Sequence, residues 1–244
     1  SVVARRTREK GLVEMDRTIT VIGSGSWGTG VSHLLGGKGC NVRLWSFDKG
    51  VPEAINETHR NPLYLKDVDL PNVFCTSSFE EALEGSEAVV VVCPSAFMRS
   101  TVEGFAPYVS ADMPVIVLSK GVEENTGKLM IEVLEDVLGN PQRLAALAGP
   151  NHAEEVSHEM IAATVVASRD EECAKYFQEL FSTNYFRVYT TDDTIGLELC
   201  SAAKNIIAIA NGMCCAMELG DDASAALMTR GLAEITRLVT ALGG

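Results

Sequence analysis

The chain has 244 residues, of which 46% are hydrophobic and 22% charged, values typical of a globular protein with one large domain or two small ones. Its formal net charge is −13, so neither nucleic acid nor an anionic membrane surface is an expected partner. The longest apolar runs, such as 88–93 and 206–210, are too short to span a bilayer. An anionic substrate would therefore need a local cluster of cations.

The first 16 residues carry four basic side chains but no apolar core, so they do not form a secretory signal. We expect residues 1–16 to be a disordered leader, with a basic targeting arm as the alternative. The seven cysteines include no Cys-x-x-Cys pair, and neither they nor the four histidines show the spacing of a zinc site. We therefore expect reduced thiols, a cytoplasmic location and no metal centre.

The first predicted strand, residues 18–22, runs directly into the motif G-x-G-x-x-G, after which a helix can begin at once. Gly23 permits the tight turn, Gly25 lets the backbone approach a pyrophosphate, and Gly28 lets helix and strand pack closely. The N–H groups and the positive end of the following helix would hold the phosphate charge. A glycine-rich turn without a ligand is the alternative.

The next elements support a glycine turn that binds a dinucleotide. Residues 41–45 form a second predicted strand, and Asp48 follows twenty positions after Gly28, where a ribose-binding acid belongs. Ser78 begins an S-x-x-E capping box and therefore a short helix. Residues 88–92 form a nearly continuous valine run, which is typical of a strand buried on both faces of a parallel sheet.

The alternation of strand and helix continues beyond this run. Further strands are predicted at 114–118, 144–148, 162–167 and 186–190, with helices near 128–138 and 171–181. This pattern predicts an α/β fold, a doubly wound Rossmann-type sheet over residues 17–193 that binds a dinucleotide. Two long helices, 195–212 and 223–242, follow without a strand between them. We expect residues 194–244 to be the start of an all-helical second domain, a partial substrate domain whose helical part is unfinished.

Lys204 and Asn205 lie in the middle of the first long helix, which is apolar or small almost all round between Leu199 and Ala210, as buried helices are. A lysine that loses hydration has a lowered pKa, which suits proton transfer. The alternative is a lysine that extends its ammonium group to water, with Asn205 as a packing hydrogen-bonder. The spacing alone favours neither interpretation.

Three turns follow the carboxyl ends of predicted strands, where open α/β sheets place their ligands. Lys120 lies in one of them, although a solvated loop lysine has the same pattern. Gly149 and Asn151 lie in the second, where Asn151 would also serve as a helix N-cap. Pro94 lies in the third and either brings backbone atoms against a cofactor or forms a simple turn. Two lysines at such an edge suit a carbonyl that needs a proton as it accepts a hydride.

With these residues in place, the chain resembles the NAD(P)-dependent glycerol-3-phosphate dehydrogenase family, particularly its bacterial form. The matching motifs cover nearly everything from residue 18 to 244 and are Gly23-Ser24-Gly25-Ser26-Trp27-Gly28-Thr29, Leu44-Trp45, Val92-Cys93-Pro94-Ser95, Ser119-Lys120-Gly121, Ala148-Gly149-Pro150-Asn151, Phe186-Arg187-Val188-Tyr189, Ala203-Lys204-Asn205-Ile206-Ile207-Ala208 and Thr229-Arg230-Gly231-Leu232-Ala233-Glu234. The Lys-Asn helix and the Lys120 turn together are far more specific than the glycine motif alone.

The resemblance implies the interconversion of dihydroxyacetone phosphate and sn-glycerol 3-phosphate for phospholipid synthesis, with NAD or NADP as cofactor. It implies that Lys204 is the catalytic general acid/base and that Lys120 contacts both substrate and cofactor. The glycine loop, Asp48 and Pro94 are already predicted to bind the cofactor. The resemblance implies further cofactor-binding positions at Ser26, Trp27, Phe47, Lys120 and Ala153. The implied substrate-binding residues are Lys120, Gly149, Asn151, Lys204 and Asn205.

Two departures from the family pattern shape the expectations. The Gly-Asp motif and the Arg-Asn pair of the family's later helices are not assigned in this sequence. Asp221 lies too early to match the aspartate of the Gly-Asp motif, so turnover by this chain is left open. Phe47 stands where many bacterial relatives carry a basic or polar residue, and Asp48 would repel a 2′-phosphate. NAD is therefore slightly favoured over NADP. The helical part should expose apolar surface and associate with a second copy as a homodimer.

Two other functions stay open on the sequence alone. One is another lysine-dependent hydroxyacid or ketopantoate-type reductase, which a substrate panel with NADH and NADPH would distinguish. The other is a truncated dinucleotide-binding module without turnover, which would bind NADH but show no measurable rate.

Overall fold

The computed structural model describes residues 17–139 and 143–244, so the predicted leader lies outside the described residues. The strands are β1 Thr18–Ile22, β2 Asn41–Trp45, β3 Val73–Thr76, β4 Ala88–Val91, β5 Val115–Val117, β6 Leu144–Ala148, β7 Ala162–Ala167 and β8 Phe186–Thr191. The α-helices are α1 Ser26–Gly37, α2 Val51–Thr58, α3 Phe79–Leu83, α4 Met98–Phe105, α5 Met130–Leu138, α6 Ala153–Ser157, α7 Glu171–Phe181, α8 Thr194–Ala216 and α9 Asp221–Ala241. Short 3₁₀ helices cover Ser95–Phe97 and Ala106–Tyr108.

The chain divides into two compact units, of which the first contains the described residues up to Val92 together with His152–Ile161. Its four strands are parallel and lie in the order β3-β2-β1-β4. This is the strand order of a mononucleotide-binding Rossmann half, and it sets the carboxyl ends of β1, β2 and β4 along one edge. β4 is buried at all four positions, as its valine run predicts.

Local signals in the sequence explain where the first unit's helices begin. The hydroxyl of Ser78 accepts a hydrogen bond from the amide of Glu81 at 3.3 Å, so the predicted cap opens α3. The glycine motif opens α1. α2 was not predicted from the sequence. It is a helix of eight residues that begins after Gly50, which has a left-handed conformation, and it has Pro52 in its first turn.

The second unit contains Cys93–Asn151 and Ala162–Gly244. Its strands lie in the order β5-β6-β7-β8, in which β6 and β7 are antiparallel and the other two pairs are parallel. Four fully buried phenylalanines help to fill its core, namely Phe105, Phe177, Phe181 and Phe186. The α/β class with a Rossmann-type strand order, followed by a helical segment, is thereby confirmed.

The helical segment consists of α8 and α9, which pack against each other, while α8 also packs against β6 and β7. α8 is not a buried helix in this structure, although its apolar pattern is typical of one, and its exposure agrees with the prediction that the helical part exposes apolar surface. Ile206, Ile209 and Met213 each expose 60% or more of their surface. Apolar residues on most sides of a helix predict burial only if other elements cover those sides, and in the described residues α8 has neighbours on part of its circumference.

In the described part of the chain, α8 also has the length and apolar composition of a membrane-spanning helix. That property rests on length and composition alone, and the core helix of a globular protein meets the same criterion.

Candidate active site

The turn after β1 is glycine-rich because its positions meet different steric demands. Gly23 has a φ of +117°, which side-chain-bearing residues rarely adopt. A Cβ on Gly28 would lie 1.8 Å from the carbonyl oxygen of Gly23, so a glycine is needed for the close approach of helix and strand. Gly25 has an ordinary φ of −66°, and a Cβ built on it would meet no atom within 4 Å. The open space at Gly25 therefore fits a ligand that approaches the backbone, as a pyrophosphate does.

The same turn forms the amino end of α1. Gly25 is the N-cap residue, and no side chain caps the helix. Ser26 and Trp27 occupy the first turn and are half-buried. A helix amino end without a side-chain cap favours anions, because its first N–H groups and its dipole direct positive charge outward. These residues therefore fit the phosphates of a dinucleotide.

The residues that follow β2 are attached to this turn through two buried serines. The hydroxyl oxygens of Ser24 and Ser46 lie 2.6 Å apart, and the amide of Asp48 donates to the Ser46 hydroxyl at 3.2 Å. Phe47 lies between Ser46 and Asp48 in the sequence. Its side chain is 83% exposed, and its ring lies 6.5 Å from that of Trp45. The structure thus leaves Phe47 and Asp48 accessible at the carboxyl end of β2, where both were predicted to contact a cofactor.

Ala153, another predicted cofactor residue, lies at the start of α6 and packs against α1. A Cβ on Gly30 would meet the carbonyl oxygen of Ala153 at 3.4 Å and its Cβ at 3.7 Å. Ala153 is buried in this contact. The structure therefore places it beside the helix that begins at the glycine turn.

In the second unit, the Lys120 turn packs against the turn that contains Pro94. The Ser119 hydroxyl donates to the carbonyl of Cys93 at 2.5 Å. Gly121 has a φ of +132°, and a Cβ there would lie 3.0 Å from the hydroxyl oxygen of Ser95. Pro94 is exposed as the N-cap residue of the 3₁₀ helix that begins at Ser95. The Ser119 side-chain hydrogen bond and the close approach of Gly121 to Ser95 thus join the Lys120 turn to the turn that contains Pro94.

Gly149 and Asn151 lie directly after β6. The Lys120 ammonium donates to the carbonyl oxygen of Gly149 at 3.4 Å. The Asn151 side-chain nitrogen donates to the carbonyl of Ala163 at 3.0 Å, and Asn151 is not the helix N-cap that the alternative predicted. His152 is the N-cap residue of α6 instead. Gly149 has no room for a side chain, since its Cβ would lie 2.8 Å from the carbonyl oxygen of Ala163.

Lys120 and Lys204 are close enough to influence each other electrostatically. Partial burial lowers the pKa of Lys120, and the positive charge of Lys204 lowers that pKa further. Lys204 comes from α8, which packs on β6, and β6 leads into Gly149. The structure therefore places the two predicted catalytic lysines near each other in the second unit.

The structure supports one of the two interpretations of Lys204, that of a lysine whose ammonium group extends to water. Lys204 and Asn205 are both exposed on α8, whereas partial burial lowers the pKa of Lys120. The reason is the exposure of α8 itself, on which Ile206 is 69% exposed. Both lysine ammonium groups are nevertheless available to an anionic substrate.

Glu198 is a deeply buried acid that was not predicted from the sequence. It lies six residues, about 1.7 helical turns, before Lys204 on α8 and is 6% exposed. Its carboxylate accepts from the amide of Ile131 at 3.2 Å, at the amino end of α5. Burial, followed by the negative charges of Glu132 and Glu135 on α5, raises the pKa of Glu198 to about 8, while amide hydrogen bonds oppose the rise. It is the one acid within α8, a signal that could have revealed it.

We expect Glu198 to make the stability of the chain decrease as the pH rises. Its folded-state pKa exceeds the ordinary value of 4.5, so the stability it contributes is fully present below that value and is lost as the pH rises through about 8. This change corresponds to at most about 5 kcal/mol. Urea unfolding of the wild type and of Glu198→Gln at pH 5 and pH 9 measures it. The difference in unfolding free energy, variant minus wild type, should grow with pH, and an equal difference at both pH values would contradict the assignment.

The cysteines do not provide a nucleophile in the cores of the two units. Burial raises the pKa of Cys75 to about 12 and those of Cys93 and Cys173 to about 11, so their thiols stay protonated near neutral pH. All seven cysteines lie in the described residues and are free thiols. In the same residues, no three His, Cys, Asp or Glu side chains are grouped so as to hold a metal ion.

Comparison with known proteins gives two family matches that together cover most of the chain. The family described as NAD-dependent glycerol-3-phosphate dehydrogenase N-terminus matches residues 18–174, and the corresponding C-terminus family matches residues 193–244. A curated relative, the glycerol-3-phosphate dehydrogenase [NAD(P)+] of Streptomyces griseus, is 44% identical over 225 residues. That alignment covers 91% of this chain and 67% of the relative.

Solved structures agree with these matches. The crystal structure of glycerol-3-phosphate dehydrogenase from Coxiella burnetii superposes with a TM-score of 0.88 at 34% identity, covering 94% of this chain and 70% of that one. A ketopantoate reductase from Ralstonia eutropha superposes with a TM-score of 0.60 at 21% identity, covering 78% of this chain and 60% of that one. The second similarity shows a shared fold and no more.

Proposed function

The chain belongs to the NAD-dependent glycerol-3-phosphate dehydrogenase family, and we propose that it interconverts dihydroxyacetone phosphate and sn-glycerol 3-phosphate with NAD(P)H. The product supplies the backbone of phospholipids. The observation that carries the proposal is the lysine pair, in which Lys120 donates to the Gly149 carbonyl and its pKa is lowered by burial and, to a smaller extent, by the charge of Lys204. Two ammonium groups that influence each other electrostatically provide the cationic site that a phosphate substrate needs on a chain with a net charge of −13.

The proposed mechanism assigns a separate role to each lysine. When bound, the reduced nicotinamide supplies a hydride to the C2 carbonyl carbon of dihydroxyacetone phosphate. The carbonyl oxygen takes up the electron pair of the C=O bond, and Lys204 donates the proton that converts this oxygen to a hydroxyl group. Lys120 stabilises the negative charge on the oxygen and contacts both substrate and cofactor. Gly149, Asn151 and Asn205 bind the substrate.

The proposed cofactor-binding residues are the glycine turn, Ser26, Trp27, Phe47, Asp48, Pro94, Lys120 and Ala153. The open space at Gly25 and the uncapped amino end of α1 fit a pyrophosphate. We further propose that NAD is preferred over NADP, because the Asp48 carboxylate would accept a ribose hydroxyl group and repel a 2′-phosphate. Phe47 beside it is an apolar residue and offers no positive charge to that phosphate.

Absorbance assays with the purified chain test this function. We expect oxidation of NADH that depends on dihydroxyacetone phosphate, a slower rate with NADPH, and no rate with ketopantoate or 2-keto acids. A rate with ketopantoate and none with dihydroxyacetone phosphate would favour the reductase alternative. Binding of NADH without turnover of any substrate would favour a dinucleotide-binding module.

We place a boundary near residue 193 between the dinucleotide-binding domain and the helical substrate domain, and we place the protein in the cytoplasm.

We also propose that the chain forms a homodimer through the exposed apolar residues of α8 and α9, such as Ile209 and Leu232. Sedimentation should then give about twice the chain mass of 26.2 kDa, whereas a monomer at micromolar concentration would contradict the dimer.

A further inference from the structure

Asn61 lies between α2 and β3 and is fully buried, with both ends of its amide engaged. Its nitrogen donates to the carbonyl oxygen of Ser24 and to the hydroxyl oxygen of Thr29, each at 2.9 Å. Its oxygen accepts from the amides of Leu63 at 2.9 Å and Tyr64 at 3.2 Å. These four bonds use the full hydrogen-bonding capacity of the side chain. The reverse amide orientation would set oxygen against oxygen at Ser24, so one orientation is fixed.

Ser24 is the residue between the first two glycines of the turn, and it is held from two sides. Its carbonyl oxygen accepts a second hydrogen bond, from the Thr29 hydroxyl at 3.2 Å. Its own hydroxyl lies 2.6 Å from that of Ser46 at the end of β2. Ser24, Thr29 and Ser46 are all buried. The carbonyl of Ser24 is therefore directed into the first unit.

The direction of this carbonyl determines the direction of the next amide. A trans peptide is planar, with its C=O and N–H pointing in opposite directions. The N–H of Gly25 therefore points away from Asn61 and Thr29. Gly25 is also the N-cap of α1 and the residue whose added Cβ would meet no atom within 4 Å. This amide is thus presented at the end of the helix that favours an anion.

We propose that Asn61, acting with Thr29, is a positioning residue that holds the Ser24–Gly25 peptide so that its N–H is directed at the pyrophosphate of the cofactor. The proposal rests on the dinucleotide site of the proposed function and adds a residue to it from outside the glycine motif. Asn61 does not itself contact the ligand, so its effect should be specific to ligands that carry the phosphates.

The test measures binding to the whole chain by NADH fluorescence, with ADP and adenosine as competitors. Asn61→Ala should raise the Kd of NADH about fivefold to tenfold, the effect of losing about one net hydrogen bond. The inhibition constant of ADP should rise by a similar factor, whereas that of adenosine, which has no phosphate, should stay within about twofold of the wild-type value. A general loss of structure would weaken the binding of adenosine as well.

Asn56 provides a matched control in the same unit. Its amide donates to the carbonyl of Cys75 at 2.8 Å, and its oxygen accepts from the Cys75 amide at 2.8 Å. Asn56→Ala therefore removes the same kind of contact between an asparagine and the backbone at β3. It should leave the Kd of NADH unchanged, even if the melting temperature falls.

A second pair of variants tests the Ser24 carbonyl directly. Thr29→Val keeps the shape of the side chain but removes the hydroxyl, so it should weaken NADH binding, whereas Thr29→Ser keeps the hydroxyl and should bind close to wild type. Unchanged NADH and ADP binding in both Asn61→Ala and Thr29→Val would overturn the proposal, as would equal weakening of ADP and adenosine. The proposed function fails separately, if the wild type binds NADH and does not turn over dihydroxyacetone phosphate.

Discussion

Lys204→Ala is expected to lower the turnover number for dihydroxyacetone phosphate by about two to four orders of magnitude, the usual contribution of a positioned general acid. Lys204 is exposed on α8, so the substitution removes an ammonium group without opening a cavity. Stability should therefore be nearly unchanged. Steady-state kinetics at saturating NADH, together with a thermal melt, separates the loss of chemistry from a loss of folding.

Lys175 offers a control for the removal of a lysine. It is an exposed residue of α7 that forms an ion pair with Glu171 at 2.8 Å, and Lys175→Ala should leave turnover unchanged.

Lys204→Ala should also change the pH profile of turnover. The charge of Lys204 helps to lower the pKa of Lys120, so the Lys120 ionisation should move to higher pH in the variant. Near-normal turnover in Lys204→Ala would remove this residue from the mechanism.

Gly28→Ala is expected to destabilise the first unit by about 3 kcal/mol or more, because the new Cβ would lie 1.8 Å from a backbone carbonyl oxygen. The Gly23 carbonyl belongs to the main chain, so the contact is relieved only if α1 moves away from β1. Such a movement would displace the amino end of the helix and abolish NADH binding. Urea unfolding and NADH fluorescence measure the two effects.

Gly25→Ala is the contrasting variant in the same loop. Its φ of −66° suits alanine, and the added Cβ meets no protein atom within 4 Å. The free energy of unfolding should change by less than about 1 kcal/mol, since the lower unfolded-state entropy opposes alanine's poor N-cap propensity. NADH binding should nevertheless weaken, because the Cβ fills the space through which the pyrophosphate approaches. If Gly25→Ala binds NADH as tightly as the wild type does, the phosphate does not lie there.

The sequence predicts the features that short-range stereochemistry determines. The glycine turn is predictable because a strand, three glycines at fixed spacing and a helix start leave few other conformations for residues 18–28. The cap at Ser78 and the buried strand β4 follow in the same way from a hydroxyl–amide bond and a valine run. The turns that hold Lys120 and Gly149 were located by their position after strands.

The rest depends on contacts that no local pattern encodes. Burial of α8 depends on which elements cover it, and the apolar pattern of its own residues does not reveal them. The antiparallel pairing of β6 with β7 depends on how the chain returns between them, not on the residues of either strand. Asn61 lies in an irregular segment, and its importance comes from a contact with Ser24, 37 positions earlier. Glu198 was visible as one acid in an apolar helix, but its partner Ile131 was not.

The most direct test of the account is chemical rescue of Lys204→Ala with small primary amines, since the central claim is that this ammonium group supplies the proton. Added ethylammonium should restore turnover in proportion to its concentration, and a series of amines should show rates that depend on their pKa values. Acetamide, which is similar in size but is not an ammonium acid, should restore nothing. A variant that binds NADH and dihydroxyacetone phosphate normally, yet turns over at the same rate with and without amine, would contradict the claim.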